Sequence, residues 1–124
     1  MLERIEHMQI PVHNVEEAVQ WYTLHLGFRL EGQTAGRHAF LTLSSGPMLM
    51  LWETREETHA NFTVGGETMP VLLYRTSDIH ALHDRLKGIG ARIAFYKDEG
   101  FGWVLKFYDP SGNLWGAIQP NPNA

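Results

Sequence analysis

Seven histidines, fourteen carboxylates and no cysteine bound the chemistry open to this chain. Disulfides, thiolate metal sites and cysteine nucleophiles are excluded. His80 and His83 lie one helical turn apart near Asp78. That spacing can bind a metal but more often marks an exposed helix face, and it is assigned no function. His13, His25 and His59 read as surface residues, and the acids after Glu53, Glu56 and Glu57, as a solvated loop. Phe40, Phe101, Trp103 and Phe107 could stack against a flat ligand, with core packing as the plain alternative for each. Trp103 is the strongest of the four because it follows the flexible segment Gly100-Phe101-Gly102. No phosphate-binding loop, nucleophile elbow or nucleic-acid motif is present.

These side chains must be placed by strands and helices. Ile5, Met8, Ile10 and Val12 alternate with polar residues across Arg4 to Val12, which predicts a strand. Asn14, with Glu17 three residues on, predicts a helix start. Val15, Ala18, Val19, Tyr22 and Leu26 give that helix an apolar face, and Gly27 ends it. Strands are expected over 28–33, 37–44 and 48–53, with Ser45-Gly46-Pro47 turning the chain between the last two. Thr54 to Met69 reads as a polar connecting loop. The order then recurs: a strand over 71–76, a helix from Asp78 to Gly90, and strands over 92–97, 103–108 and 114–119. Asp109-Pro110-Ser111-Gly112-Asn113 joins the last two. Pro120 to Ala124 is expected to fray. The two helix caps, Asn14 and Asp78, stand 64 residues apart. This internal repeat is the strongest signal in the chain.

The chain has 124 residues, 44% of them apolar and 19% charged, so it can bury a core as a single domain over 1–124. The first module covers about 4–54 and the second about 70–120. A net charge of −4 offers no broad attraction for nucleic acid or anionic membrane. No apolar run is long enough to span a bilayer, and MLERIEHMQI does not read as a signal peptide, so a cytoplasmic location is expected.

His7-Met-Gln-Ile-Pro-Val12-x-Asn14, then Trp21-Tyr22 and Leu26-Gly27-Phe28, resembles the opening of the vicinal oxygen chelate superfamily. Phe107-Tyr-Asp109-Pro110-Ser-Gly112-Asn113 resembles its last hairpin, and Gly100-Phe101-Gly102 the approach to its seventh strand. The group includes glyoxalases, extradiol dioxygenases, fosfomycin-modifying enzymes and bleomycin-binding resistance proteins. The resemblance implies an α+β fold of two βαβββ modules, with a curved, mostly antiparallel sheet and helices on its convex face. It also implies a homodimer. Up to four metal ligands are expected on the first and fourth strands of each module. Carried over, these positions are His7, Glu53, Val71 and Gly116. Valine and glycine cannot ligate a metal, so half of the set is missing.

Strand alternation sorts the neighbours of these positions onto two faces. With His7 in a cleft, Met8, Ile10 and Val12 point to the helices. With Glu53 in the cleft, Leu49 and Leu51 join it, while Met50 and Trp52 pack beneath. A four-residue turn over 44–47 sets Phe40 opposite Leu51 and His38 opposite Glu53, bringing His38 to His7 and Glu53. The same count sets Leu105 opposite Gly116, so Trp103, Leu105, Phe107 and Gly116 form an apolar wall with space beside the glycine. The ligand-binding set is then His7, His38, Phe40, Glu53, Phe101, Trp103, Phe107 and Gly116.

Three readings follow. The first is a metal-independent binding protein, with no cofactor, for a small, partly aromatic molecule. The second is a lyase, isomerase or dioxygenase using one divalent metal ion on His7, Glu53 and His38. Without metal, Glu53 could instead act as a base beside His7. The third is a partner-binding module with no small-molecule role.

Overall fold

The structure, a computed structural model, describes residues 1–122. Two compact units divide the chain, Met1–Thr58 and a second beginning at His59, and each holds one module.

In the first unit the order is β1 (His7–Val12), α1 (Val15–His25), β2 (Arg29–Thr34), β3 (His38–Thr42) and β4 (Met48–Glu53). The sheet order is β1-β4-β3-β2, with β1 parallel to β4 and the other pairs antiparallel. Alternation in β1 buries Ile10 and Val12, as expected. α1 begins where Asn14 accepts the Glu17 amide at 2.8 Å. Its buried residues Val15, Ala18, Val19 and Tyr22 recur at helical spacing. It ends as Leu26 and Phe28 both donate to the Tyr22 carbonyl, with Gly27 at φ +80° making the left-handed exit. Leu41, Leu49 and Leu51 complete the core under the helix, all at 0% exposure.

The second unit repeats the plan. β7 (Leu72–Arg75), α2 (Ile79–Gly88), β8 (Ile93–Asp98), β9 (Gly102–Tyr108) and β10 (Leu114–Pro120) form a sheet of order β7-β10-β9-β8. Asp78 caps α2 by accepting the Ala81 amide at 3.2 Å. Before this module lies a hairpin, β5 (Asn61–Val64) and β6 (Glu67–Pro70), where a plain loop was expected. Its turn is Gly65-Gly66, both at positive φ, a pair that lets two strands reverse within two residues.

The Asp109–Asn113 turn is a buried polar knot. Asp109 Oδ1 accepts the amides of Ser111 and Asn113 at 2.8 and 2.9 Å, and Oδ2 accepts Asn113 Nδ2 at 2.8 Å. Asn113 Oδ1 in turn accepts the Ala60 amide at 2.7 Å, tying the approach to β5 onto the turn. The tail differs from expectation. Pro120 closes β10, and Asn121 donates to the Gly100 carbonyl at 2.9 Å and to Asp98 at 3.2 Å. The expected fraying of Asn123 and Ala124 lies outside the described residues.

Candidate functional site

Strand pairing sorts the side chains of each sheet onto two faces. In the first unit His7 pairs with Met48, Gln9 with Met50 and Pro11 with Trp52. Across the hairpin, His38 pairs with Trp52 and Phe40 with Met50. These residues share one face, and the helix covers the other. The expected hairpin register was one residue short, because the loop between the paired strands is longer than the four-residue turn assumed. One residue suffices to exchange the faces of β4. Met50 and Trp52 therefore join His7, His38 and Phe40 on the open face, while Leu49, Leu51 and Glu53 turn to the helix.

On that face the rings form a continuous run. His7 and Phe40 lie 5.8 Å apart between centroids, Phe40 and His38 5.5 Å, and His38 and Trp52 5.1 Å, all tilted or edge-on. Gln9 Oε1 accepts the Trp52 indole N–H at 2.7 Å and fixes that ring. His38 Nε2 lies 3.4 Å from Thr34 Oγ1, while its Nδ1 is buried with no hydrogen-bond partner among the described residues. At the His7 end, the sheet opens onto a depression of about 570 Å³. Arg4, Glu6, Thr42 and Met48 are among its lining residues. On the edge strand, Arg29 Nε bonds Glu31 at 2.7 Å, and Thr42 donates to the same oxygen at 2.8 Å. Those hydrogen bonds, Arg29's first, hold the Glu31 carboxyl below the usual range.

Glu53 is placed elsewhere. Its Oε1 accepts the Val15 amide at 2.9 Å, the first N–H of α1. Along the parallel pair it sits level with Val12, five residues from the level of His7, roughly 17 Å at strand rise. His7 and Glu53 thus cannot share an ion or a proton. The second module uses the same device: Gln119 Oε1 accepts the Ile79 amide, the first of α2, at 2.7 Å. Among the described residues no three histidine or acidic side chains converge to hold a metal. The donor set expected for a divalent ion, His7, His38 and Glu53, does not fit one, since the carboxylate is on the opposite face.

The second hairpin is also one residue out of the expected register. Leu105 pairs with Ala117, and Gly116 with Lys106. Leu105 and Phe107 are core residues at 0% and 2% exposure, so Phe107 offers no ring to a ligand on the open face. Trp103 faces α2, with its ring 4.7 Å from His80 and 5.0 Å from Tyr96. His83 stacks on the same Tyr96 at 3.8 Å, so this histidine pair packs on a tyrosine. Gly116 does not border free space: a Cβ there would meet Leu73 at 2.3 Å and Pro70 at 3.3 Å. Phe101 stands at the β8–β9 turn, 53% exposed. Val71, at the other position without a ligand, precedes β7 and is exposed.

The face that carries His7, His38 and Phe40, which sequence reasoning grouped, also carries Gln9, Met50 and Trp52, which it placed elsewhere or left out. β4 reads Met-Leu-Met-Leu-Trp, apolar on both faces, so alternation could not choose between them. The available signal was Trp52 itself, whose indole N–H needs an acceptor.

No curated protein matches the chain. Among solved structures it is similar to TnmS3, an antibiotic binding protein from Streptomyces sp. CB03234. The identity is 26%, over 97% of this chain and 98% of that one, with a TM-score of 0.76. A glyoxylase/bleomycin resistance protein/dioxygenase domain from Frankia sp. EAN1pec shares the fold at 22% identity and TM-score 0.77, covering 98% of this chain and 100% of that one. So does the fosfomycin resistance protein FosX from Listeria monocytogenes, at 12% and 0.77, covering 99% and 98%. The family described as Glyoxalase/Bleomycin resistance protein/Dioxygenase superfamily matches residues 4–116. With the duplicated βαβββ topology already in view, the chain belongs to that superfamily.

Proposed function

We propose that this protein binds a small, partly aromatic molecule on the open face of its first sheet, without a resident metal ion. The observation that carries the reading is the run His7–Phe40–His38–Trp52, with Gln9 holding the indole. Such a surface offers edges and faces of rings to a flat ligand, with polar atoms at its margins. The likeness to an antibiotic binding protein supports a ligand of that general kind. The commitment of Glu53 to the α1 amide supports the metal-free part of the reading. A homodimer and a cytoplasmic location complete the proposal. Among the described residues no helix is long and apolar enough to cross a membrane.

The test is fluorescence titration with a panel of polycyclic aromatic antibiotics, run beside elemental analysis of protein purified without chelator. Saturable quenching that is lost in Trp52→Phe, from protein without stoichiometric metal, is the expected result. Near-stoichiometric zinc, iron, manganese or nickel that disappears in His7→Ala would replace this reading with a metal-dependent enzyme.

A further inference from the structure

We propose that Tyr96 is a one-electron redox site: it gives an electron to an outer-sphere one-electron oxidant while His80 takes its phenolic proton. Tyr96 stands on β8 opposite the core residue Leu105, on the face turned to α2, and His80 is in the first turn of that helix. With no cysteine in the chain, the thiolate that usually takes up oxidising equivalents is missing.

A phenol loses an electron readily only when its proton can leave in the same event, because the phenol radical cation is a strong acid. A base already bonded to the hydroxyl is what makes a tyrosine oxidisable. Tyr96 has one, since its Oη is hydrogen-bonded to Nδ1 of His80. With the imidazole hydrogen on Nε2, Nδ1 accepts the phenol hydrogen. On oxidation the electron passes to the oxidant, the O–H bond breaks, and the proton forms an N–H bond at Nδ1. The products are a neutral phenoxyl, an imidazolium and the oxidant reduced by one electron. His80 is exposed, so the imidazolium keeps its hydration.

The neighbours shield the ring. His83 stacks on Tyr96 at 3.8 Å with 9° between the planes, and Trp103 lies 5.0 Å away. At the matching positions of α1, 64 residues earlier like the caps, the first module carries Glu16 and Val19. Packing of the repeat therefore does not call for two histidines here. The other three tyrosines are less suited. Tyr22 is sealed in the core at 0% exposure. Burial pushes the Tyr74 phenol upward, so it gives up its proton less readily. The Arg92 guanidinium lies 4.5 Å over the Tyr108 ring, and a cation there opposes loss of an electron.

The full chain is oxidised with photogenerated tris-bipyridine ruthenium(III). The radical is followed by transient absorbance and identified by electron paramagnetic resonance. A tyrosyl signal is expected, and Tyr96→Phe should remove most of it. His80→Gln should slow its formation by about tenfold or more and make the rate rise with buffer-base concentration, because the solvent must then take the proton. Tyr108→Phe should change neither yield nor rate.

A wild-type tyrosyl yield in folded Tyr96→Phe, wild-type kinetics in folded His80→Gln, or a radical that stays on tryptophan would each overturn the proposal. So would slowing in His80→Gln without buffer dependence, since His80 would then act through structure alone. Either variant decides by itself if the other does not fold.

Discussion

On the first sheet the open face carries His7, Gln9, His38, Phe40, Met50 and Trp52, while the matching face of the second carries Lys97, Lys106, Arg75, Phe95, Tyr108 and aliphatic residues. The helix-covered faces tell the opposite story. Both are aliphatic and aromatic cores, and in both the last strand lends a side-chain oxygen to the first helix amide, Glu53 to Val15 and Gln119 to Ile79. The packed side of the repeat is fixed by what a βαβββ unit must bury and cap. The open side is free of that constraint, and there the two modules have diverged in chemistry. Ligand binding on this fold is accordingly to be sought on the open faces.

The two units also differ in the turn before their last strand, and the largest mutational effect is expected there. Asn113→Ala leaves the Ala60 amide and an Asp109 oxygen without their acceptor and donor in a buried setting, and should cost about 3 kcal/mol in urea unfolding. Ser45→Ala, in the exposed turn of the first module, should change stability by less than ~0.5 kcal/mol. A similar cost at both would erase the contrast.

Trp103→Ala comes next. Its half-buried ring packs on His80 and Tyr96, so its loss should cost roughly 2 kcal/mol while leaving affinity for an aromatic ligand unchanged. Weakened binding without lost stability would move the ligand site to the second module. Smaller still are the helix caps. Glu53→Ala and Gln119→Ala should each cost about 1 kcal/mol, and Glu53→Gln, which mimics the second module, should be nearly neutral. A large loss in Glu53→Gln would show that the charge matters beyond the cap.

A further effect is confined to alkali. Burial against Trp115 pushes the Tyr74 phenol upward. A group raised on folding contributes fully below its ordinary value, near 10, and loses that contribution as pH climbs through the folded value. Stability should therefore fall above about pH 10, and Tyr74→Phe should flatten that part of the profile. An unchanged profile would show that another group is responsible.

How much of this the sequence disclosed follows from where periodicity carries information. The repeat, both helix caps and the exit at Gly27 were legible, because Asn14, Asp78 and the i, i+3, i+4 pattern act locally. The sheet faces were not. β4 and β10 are apolar on both sides, so the register rested on loop length alone, and one residue reversed the faces in each hairpin. Glu53 entered the expected site through its carried-over ligand position, which put Trp52 beneath the sheet, and the assumed turn then set His38 opposite Glu53, whereas His38 pairs with Trp52. The β5–β6 hairpin was hidden by polar residues, though Gly65-Gly66 between two short β-prone runs marked its turn.

We propose the ring run of the first sheet as the ligand surface. Its most direct test is the affinity of Phe40→Ala for the tightest-binding antibiotic of the panel, measured by titration calorimetry with Trp103→Ala as control. Phe40→Ala should lose about tenfold or more, because it removes the ring that bridges His7 and His38, and Trp103→Ala should lose nothing. Wild-type affinity in a folded Phe40→Ala protein would contradict it.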